Sequence, residues 1–558
     1  MLKSFARSRD SFTAPVFWAL KTVLLTAVLA APAARVHGVE KQFAGIVSTA
    51  TPEATAAGVE ILENGGNAID AAIAVSLALG VSEPAGSGIA GQTAMLVRKP
   101  DGESFVINGT TWSPRNIPPG VVREQLVYGH TSAAVPSTLR VLDLAWKRFG
   151  SGNVTWPDLL APAIRVAEQG FVIGPFRGLA FRRYHGDLQK QPAAAGIFIR
   201  PDAMPYQAGE VFRQPLLART LRRLSSTGAM DFYQGDIAGE IVEDMQANAG
   251  WITARDLAEF PEPAILPALA GSYRGNEILT LPPPFGGWVV LQILNLLEQS
   301  DPSALDGDDA ERRLHLLDAL RIGHGSRRQP VPDYLDYHSF IDSRISKEEA
   351  RRLLAAYHDE TGGETTHFSV VDGDGMAVAV TQSIDSYFGS KVVHPKLGFL
   401  YNNYMQGFQV KDPAAPYALE PLQMPKSSMS ATIVVRDGTS RLVLGSPGSA
   451  RIISAVAQVT SYWIDVDENV ESAVAAYRVH VVPDEKAYIE GPELSTQLLS
   501  GLASRGFNLL RPAYGVSNSQ LDPYFGGVHA LALEQDGWAG AADPRRDGTV
   551  GVAYRKPD

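Results

Sequence analysis

The sequence predicts a layered α/β sandwich, with antiparallel sheets inside and helical layers outside. Apolar residues recur at helical spacing over much of the first 300 residues, whereas the chain after residue 364 is dominated by short strands joined by Asp-Gly turns. The composition is that of a globular protein, since 45% of the 558 residues are hydrophobic and 20% are charged. Disordered, collagen-like and coiled-coil proteins are therefore excluded.

The N-terminal half is predicted to be mainly helical. Thr51-Pro52 starts a helix, because Pro is favoured at the first helical position. Gly65-Gly66-Asn67 ends it, and residues 68–79 form a nearly all-apolar and hence buried second helix. Residues 301–310 are predicted to be an acidic loop. Further helices are predicted over 139–149, 159–169, 216–226, 237–247 and 289–297.

The C-terminal part is predicted to consist of hairpins. Asp372-Gly373-Asp374-Gly375 is a strong hairpin signal between strands over 366–371 and 376–384. The polar, Gly-bearing residues 358–364 precede this hairpin and are predicted to form an exposed mobile segment. The other predicted hairpins pair 94–97 with 104–108, 431–435 with 441–444 and 528–533 with 538–542, and a helix over 449–460 follows the turn Gly445-Ser446-Pro447-Gly448.

Composition excludes several classes of site. The chain has no cysteine, which rules out disulfide scaffolds, thiolate zinc sites, iron–sulfur clusters and a cysteine nucleophile. The net charge is −11, which argues against nucleic acid or an anionic membrane as a partner. No metal site is predicted either, since His315 and His324 share a helical stretch but lack ligand spacing and a partnering carboxylate.

Residues 1–38 are predicted to be a signal peptide and short leader. A basic start precedes a short apolar run over 23–31 and small residues after it. The alternative is an uncleaved membrane anchor, but the apolar run is shorter than the ~20 residues that a span needs. The leader carries five Lys or Arg and one Asp, so its removal changes the net charge from −11 to −15. We therefore expect an acidic exported protein, periplasmic or extracellular, with no membrane span after leader removal.

One glycine pattern is a weak nucleotide-binding signal. Gly86-x-Gly88-x-x-Gly91 matches the dinucleotide fingerprint, but it follows a predicted helix and precedes a predicted strand. Phosphate binding requires the reverse order. A tight helix-to-strand loop is the better interpretation.

The stretch Glu364-Thr365-Thr366-His367 is the most informative part of the sequence. A polar segment leads directly into a buried strand that begins with threonine. If the peptide bond before such a threonine is cut, the freed α-amine supplies the base that the hydroxyl lacks. The alternative is a β-branched residue that merely starts a strand.

The chain resembles the γ-glutamyltransferase family of N-terminal-nucleophile hydrolases over nearly all of its exported part. The resemblance depends on the order and spacing of many short phrases. They are Leu62-Glu63-Asn64-Gly65-Gly66-Asn67-Ala68-Ile69-Asp70-Ala71-Ala72, Glu83-Pro84, Ser87-Gly88-Ile89, Asp231-Phe232-Tyr233-Gln234-Gly235, Pro282-Pro283-Pro284, Thr365-Thr366-His367, Tyr387-Phe388-Gly389, Asn402-Asn403, Ser427-Ser428-Met429-Ser430, Gly445-Ser446-Pro447-Gly448 and Asp543-Pro544-Arg545-Arg546.

The resemblance implies a four-layer αββα sandwich and a precursor that cuts itself between Glu364 and Thr365. Residues 39–364 then form a large chain that completes the sandwich, and residues 365–558 form a small catalytic chain of 194 residues. Thr365 is the implied nucleophile, which attacks an amide and forms an acyl-enzyme that water or an acceptor amine resolves. All reacting groups belong to the protein, so no cofactor is implied.

Three further positions match the catalytic parts of the family. Ser383 matches the hydroxyl partner of the nucleophile, where threonine is usual. The predicted hairpin independently places position 365 opposite 382 or 383. The backbone N–H groups of Gly448 and Ser449 match the oxyanion hole, where two glycines are usual. His367 is interpreted as structural, because the freed amine already fills the role of the base.

The substrate anchors depart from the family. Ser427 and Ser428, which match hydroxyls that bind the glutamyl α-carboxylate, are retained. Thr110 stands where an arginine pairs with that carboxylate, and Arg115 is a candidate to replace it. Asp385 replaces an asparagine and would repel a carboxylate when ionised. Three further departures are Tyr404 in place of a polar residue, Gly407 in place of the acid that holds the α-ammonium, and Gln92 in the Gly-rich loop.

Three functions remain open from the sequence. The first is a self-processing γ-glutamyltransferase-like hydrolase or acyltransferase that acts on a γ-glutamyl or similar amide. The second keeps the fold and mechanism but takes a non-glutamyl acyl donor. The third is an uncleaved, inactive binding protein. The sequence does not identify the acyl donor, the acceptor or the oligomeric state.

Overall fold

Two antiparallel sheets stacked face to face, with helices on both outer faces, form the framework of the molecule. The computed structural model describes residues 42–306, 309–327, 329, 331, 336–353, 365–413, 415, 417–466, 469–482, 485–492, 494–512 and 521–556. The predicted leader and the predicted mobile segment 358–364 lie outside the described residues. Within them, no helix is both long and apolar enough to cross a bilayer.

The described strands are short and mostly buried. In chain order they are β1 (Phe43–Thr49), β2 (Gln92–Arg98), β3 (Ser104–Gly109), β4 (Phe171–Val172), β5 (Val211–Phe212), β6 (Ala264–Pro267), β7 (Leu269–Tyr273), β8 (Asn276–Thr280), β9 (Thr366–Asp372), β10 (Ala377–Ser383), β11 (Thr432–Arg436), β12 (Thr439–Gly445), β13 (Val479–Val482), β14 (Lys486–Ile489), β15 (Asn508–Leu510), β16 (His529–Glu534), β17 (Gly537–Ala542) and β18 (Thr549–Tyr554).

The described helices lie mainly in the first two thirds of the chain. They are α1 (Pro52–Glu63), α2 (Ala68–Ser82), α3 (Thr138–Phe149), α4 (Trp156–Gln169), α5 (Pro175–Leu188), α6 (Pro192–Phe198), α7 (Pro215–Thr227), α8 (Asp231–Gln234), α9 (Asp236–Ala247), α10 (Ala254–Ala258), α11 (Gly287–Leu297), α12 (Pro302–Asp306), α13 (Asp309–Ser326), α14 (Tyr337–Arg344), α15 (Lys347–Leu353), α16 (Ala450–Asp465), α17 (Val470–Ala475) and α18 (Thr496–Ser504).

The two large sheets are antiparallel throughout the described residues. The first has the strand order β18-β1-β9-β10-β2-β3-β6, and the second has the order β17-β16-β12-β11-β8-β7. A core of apolar side chains lies between them and includes Ile46, Leu96, Val106, Ile433, Val443 and Leu531. Helices α1 and α2 cover the first sheet, and α11 and α16 cover the second. The predicted αββα sandwich is therefore confirmed.

Local sequence signals set the boundaries of these elements. The Thr51 hydroxyl accepts a hydrogen bond from the Ala54 N–H at the start of α1, and Asn67 forms a capping box with Asp70 at the start of α2. Every residue of α2 is buried, as its apolar sequence predicts.

The four predicted hairpins are all present. The predicted loop over 301–310 is wrong in part, because α12 occupies Pro302–Asp306 and α13 begins at Asp309.

A fully buried ion network anchors the turn between β17 and β18. The Arg545 guanidinium donates to Glu490 (Nε to Oε1, 2.9 Å) and to Asp543 (Nη1 to Oδ1, 3.0 Å). Arg478 lies 2.7 Å from the other oxygen of Asp543. Burial alone would raise the pKa of Asp543, but the two arginines hold it at about 2. Asp543 therefore stays ionised inside the protein and depends on these cations.

We predict that Arg545→Met destabilises the fold by about 3–5 kcal/mol, because it leaves two buried carboxylates without their shared cation. Arg555→Met is the matched control: Arg555 is 50% exposed and lies 4.0 Å from Asp374, so a change within about 0.5 kcal/mol is expected. Urea denaturation measures both. A loss below about 1 kcal/mol for Arg545→Met would show that the network is not needed for stability.

Candidate active site

Thr365 lies at one end of the first sheet, immediately before the interior strand β9. Thr366 pairs with Gln382 in the β9–β10 ladder, so the next position places Thr365 opposite Ser383. The predicted register is confirmed, with 383 rather than 382 as the facing residue. Thr365 is 5% exposed and Ser383 is fully buried. The hairpin thus brings two hydroxyl-bearing residues together at one end of the central strands.

The Gly-rich turn after α2 packs directly against both of these residues. A Cβ at Gly91 would lie 2.2 Å from the Ser383 carbonyl oxygen, and a Cβ at Gly86 would lie 3.2 Å from the Thr365 carbonyl oxygen. Only glycine fits at position 91, since real Cβ atoms do not approach so closely. The turn connects a helix to β2, as predicted, and its glycines serve close backbone packing.

Ser383 belongs to a buried hydrogen-bond network. Its Oγ accepts from the backbone N–H of Asp385 at 2.7 Å. The Tyr404 hydroxyl hydrogen-bonds to both Ser383 and Gln92, and burial raises the pKa of Tyr404 well above its usual value. Tyr404 is therefore a neutral hydroxyl that connects the catalytic candidate Ser383 to Gln92.

Gln92 connects this network to the retained anchor residues. Its side-chain N–H donates to the Ser427 Oγ at 3.3 Å, and its Oε1 accepts from the Thr111 N–H at 3.2 Å. The Arg327 guanidinium donates to the Ser428 Oγ at 3.1 Å and to the Ser427 carbonyl at 3.2 Å. Arg327 is a cation at the anchor residues that sequence reasoning missed, because nothing in the sequence near it points there.

Thr110, at the position of the family's arginine, and Arg115, the candidate to replace that arginine, both bind other protein groups. The Thr110 hydroxyl donates to the Asn108 Oδ1 at 2.6 Å and is buried. Arg115 pairs with Glu259 at 2.6 Å, and its backbone N–H donates to Asp256. The structure gives no support to Arg115 as a replacement for the missing arginine, since the carboxylates of Asp256 in α10 and of Glu259 just after it compensate the charge of Arg115.

Asp385 lies in a strained loop beside Ser383. Its φ is +77°, and Phe388 and Lys391 also have positive φ. The Gln406 side-chain N–H donates to its carboxylate. Burial raises the pKa of Asp385 to about 6, although Gln406 and the positive charge of Lys391 oppose the shift. Asp385 therefore changes its charge close to neutral pH.

Gly448 and Ser449 form the turn into α16. Ser449 caps the helix with φ +61° and ψ −132°, a conformation that favours glycine and is costly for serine. Gly448 has φ +123°. Among the described residues, neither backbone N–H donates to a protein acceptor. Two N–H groups at a helix N-terminus can stabilise a developing negative charge.

His367 is held inside the sandwich by neutral partners. Its Nδ1 lies 3.0 Å from the Thr381 Oγ1, and its Nε2 lies 3.2 Å from the Ser369 Oγ. Burial lowers its pKa well below the usual value. A Cβ at Gly445 would lie 2.3 Å from the His367 ring, so the ring packs between the two sheets. These contacts agree with a structural role.

Comparison with known proteins gives the family. Residues 54–553 match the family model described as gamma-glutamyltranspeptidase. The chain belongs to the gamma-glutamyltranspeptidase family. It is an enzyme of this family, since its relatives are named glutathione hydrolase and acylase. The family assignment by sequence resemblance is therefore confirmed.

Two kinds of relative are about equally similar. The chain is 32% identical to a glutathione hydrolase proenzyme of Pseudomonas sp. (strain A14), over 91% of this chain and 94% of the relative. It is also 32% identical to the acylase ACY 1 proenzyme of Pseudomonas sp. (strain SE83), over 90% and 93%. Overall identity does not separate the two activities.

Solved structures agree with the fold. A cephalosporin acylase from Bacillus halodurans matches with a TM-score of 0.77 and 24% identity, over 95% of this chain and 99% of that chain. A gamma-glutamyltranspeptidase from Helicobacter pylori matches with a TM-score of 0.50 and 30% identity, over 56% and 90%. Both are similar to the αββα framework described above.

We predict that Asp385→Asn improves the binding of an acyl donor that carries a carboxylate, and only above the Asp385 pKa of about 6. At pH 7.5 the wild-type carboxylate is ionised and is expected to repel such a donor, so the variant should lower KM by roughly threefold to tenfold. At pH 5 the wild-type side chain is mostly neutral, and KM should differ by less than about twofold.

Glutaryl-p-nitroanilide and the uncharged butanoyl-p-nitroanilide, each assayed at both pH values, provide the measurement and its control. Equal changes of KM at pH 5 and 7.5 would show that the charge of Asp385 does not act on the donor.

Proposed function

We propose that this chain is the precursor of an N-terminal-threonine amidase that cuts itself between Glu364 and Thr365. The observation that carries the proposal is the β9–β10 register, which places Thr365 opposite Ser383. The name "proenzyme" of the relatives accords with a precursor that gives two chains. Residues 39–364 would form the large chain and residues 365–558 the small catalytic chain.

The proposed self-cleavage uses the Thr365 hydroxyl. Its Oγ1 attacks the carbonyl carbon of Glu364, and the peptide C–N bond breaks as an ester forms. The Thr365 nitrogen takes up the proton that the hydroxyl loses. Water then hydrolyses the ester, which frees the carboxylate of Glu364 and restores the hydroxyl. Ser383, which faces Thr365, would orient the attacking hydroxyl.

The same hydroxyl performs turnover in the mature enzyme. The α-amine of Thr365 accepts the proton as Oγ1 attacks an amide carbonyl, and it returns the proton to the departing amine. Water or an acceptor amine then attacks the acyl ester. We assign the N–H groups of Gly448 and Ser449 to the developing oxyanion, because they lie together at the N-terminus of α16.

The residues at the family's substrate-anchor positions favour an acyl group without the zwitterionic γ-glutamyl head. A Cβ at Gly407 would lie 2.9 Å from the Pro425 Cβ. An acidic side chain at this position, which would hold the ammonium of a γ-glutamyl donor, therefore does not fit without movement of its neighbours. The buried phenol of Tyr404 occupies a second anchor position. Thr110, at the position of the family's arginine, has its hydroxyl bound to Asn108. An ammonium–carboxylate pair and an arginine–carboxylate pair are each worth about 2–4 kcal/mol when desolvated.

Glutathione hydrolysis is the second candidate, and the retained hydroxyls of Ser427 and Ser428 favour it. Arg327 beside Ser428 offers a positive charge for a donor carboxylate.

An inactive binding protein is less well supported, because the residues for cutting and acyl transfer are kept whereas those for substrate specificity have changed. Our proposal of a self-cleaving amidase precursor also includes export with removal of residues 1–38.

We predict that Thr365→Ala stays a single chain of 558 residues, or of the length left after leader removal, and has no amidase activity. One hydroxyl serves both reactions, so its loss should abolish both. Denaturing gel electrophoresis and an amide assay measure the result. Ser383→Ala is the companion variant, and both reactions should slow without loss of folding. A cleaved Thr365→Ala protein, or normal maturation of Ser383→Ala, would contradict the assigned roles.

The donor class is tested with three p-nitroanilides that share one leaving group. γ-Glutamyl carries both charges, glutaryl lacks the ammonium and butanoyl lacks both. We expect kcat/KM for glutaryl or butanoyl to be at least tenfold higher than for γ-glutamyl. The γ-glutamyl donor carries a charge whose partner in the protein is lost, and one lost charge contact is worth more than about 1.4 kcal/mol, which corresponds to a factor of ten. A preference for γ-glutamyl would instead establish glutathione-type activity.

A further inference from the structure

A fully buried asparagine, Asn402, joins three separate parts of the chain next to Ser383. Its side-chain nitrogen donates to the carbonyl of Ala90 at 2.8 Å and to the carbonyl of Ala134 at 2.9 Å. Its side-chain oxygen accepts from the backbone N–H groups of Ala134 and Tyr404, each at 3.0 Å. An asparagine side chain offers two donors and two acceptor sites, so all four are used within the protein.

The hydrogen bond from Asn402 to Ala90 holds the Gly-rich turn against the end of β10. Ala90 directly precedes Gly91, whose close approach to the Ser383 carbonyl leaves no room for a Cβ. The Gly91 carbonyl also accepts from two N–H groups at the start of α3, the helix that follows the segment containing Ala134. Asn402 therefore fastens the turn and this segment together where the backbone lies closest to Ser383.

The hydrogen bond from Tyr404 to Asn402 leads to the side chain of Ser383. The Tyr404 N–H donates to Asn402, and the Tyr404 hydroxyl hydrogen-bonds to Ser383. The next residue, Asn403, donates through its backbone N–H to the carbonyl of Ile384 at 3.2 Å, directly after Ser383. The two ends of the Asn402 side-chain amide thus lead to Ser383 by separate routes, one through the backbone of the Gly-rich turn and one through a hydroxyl.

We propose that Asn402 is a positioning residue, which holds the Ser383 hydroxyl in place for both self-cleavage and turnover. The inference rests on the proposed function, in which Ser383 orients the attacking hydroxyl of Thr365. Reacting groups have to be held within about 0.5 Å of the productive geometry, and the groups around them provide that restraint. Four hydrogen bonds from one buried amide restrain Ser383 in this way, so the contribution of Asn402 requires the Ser383 hydroxyl.

Another buried asparagine provides a matched control. Asn276 is 3% exposed, and its side-chain nitrogen also donates to two backbone carbonyls, those of Tyr273 and Arg274, each at 3.2 Å. Its side-chain oxygen accepts from the Arg436 Nε at 2.8 Å. Asn276 lies at the turn between β7 and β8, near one edge of the second sheet, whereas Ser383 ends a strand of the first sheet. Asn276 therefore has the same kind of bonds as Asn402 outside the candidate site.

The test is a double-mutant cycle between Asn402 and Ser383. Asn402→Asp keeps the shape of the side chain and its acceptor sites but removes both N–H donors, and it is made in the wild type and in Ser383→Ala. Asn276→Asp makes the same change in the control. Circular dichroism establishes whether each variant is folded, and Asn402→Ser, which keeps one hydroxyl donor, replaces an Asn402→Asp protein that does not fold.

Self-cleavage is the decisive reaction, because it involves no bound donor and a slower rate cannot come from weaker substrate binding. The precursor is labelled during cell-free synthesis, and gel electrophoresis follows its conversion into two chains. We expect self-cleavage of Asn402→Asp to be at least about tenfold slower than that of the wild type, and that of Asn276→Asp to stay within about twofold. In the Ser383→Ala background, Asn402→Asp should slow self-cleavage by less than about a further twofold. The kcat on the p-nitroanilide that the wild type turns over fastest, expressed per small chain, should follow the same pattern.

A loss in the Ser383→Ala background as large as that in the wild type would overturn the proposal, since Asn402 would then act independently of Ser383. Wild-type rates for Asn402→Asp, an equal loss for Asn276→Asp, or failure of both Asn402 variants to fold would overturn it as well. Each of these outcomes leaves the proposed function in place, because the wild type is still cut and active. A wild type that stays uncut and inactive on every amide would refute the proposed function, and the role of Asn402 with it.

Discussion

The pairing of β9 with β10 is the constraint on which the rest of the site depends. A tight turn fixes the register, and the register decides that Thr365 faces Ser383. A slip by one residue would turn every side chain of β9 to the opposite face, moving His367 out of the space between the sheets. The close contact of Gly91 with the Ser383 carbonyl secures the end of the ladder from the other side.

Two turns close to this ladder contain strained residues. Ser449 and Asp385 both have positive φ, and neither is a glycine or asparagine. Such conformations cost about 1–3 kcal/mol each and persist only where the surrounding structure imposes them. Here the buried α16 and the Tyr404 network provide that support. One strained residue, Ser449, belongs to the turn that we assign to the oxyanion, and the other, Asp385, is the residue that we predict to act on the donor.

Much of the framework follows from local sequence signals, because those signals act over short distances. The Asp-Gly turns predict the hairpins, and the all-apolar run predicts the buried helix α2. Strand β1 has no comparable signal, since it is buried on both faces and its residues do not alternate. The helix over Pro302–Asp306 was not predicted because the whole stretch 301–310 is rich in aspartate, although Asp301 accepts a hydrogen bond from the Ser303 N–H as a helix cap does.

The site was predictable only in part, because its members come from distant parts of the chain. Thr365 and Ser383 share one hairpin, so their pairing follows from the turn. Arg327 and Gln92 reach Ser427 and Ser428 through tertiary packing, and no spacing rule connects them.

The most direct test of this account is the mass and N-terminal sequence of the mature wild-type protein. The account predicts two fragments, the smaller of which begins at Thr365 and contains 194 residues. An active preparation whose backbone is continuous through residues 364 and 365 would contradict it.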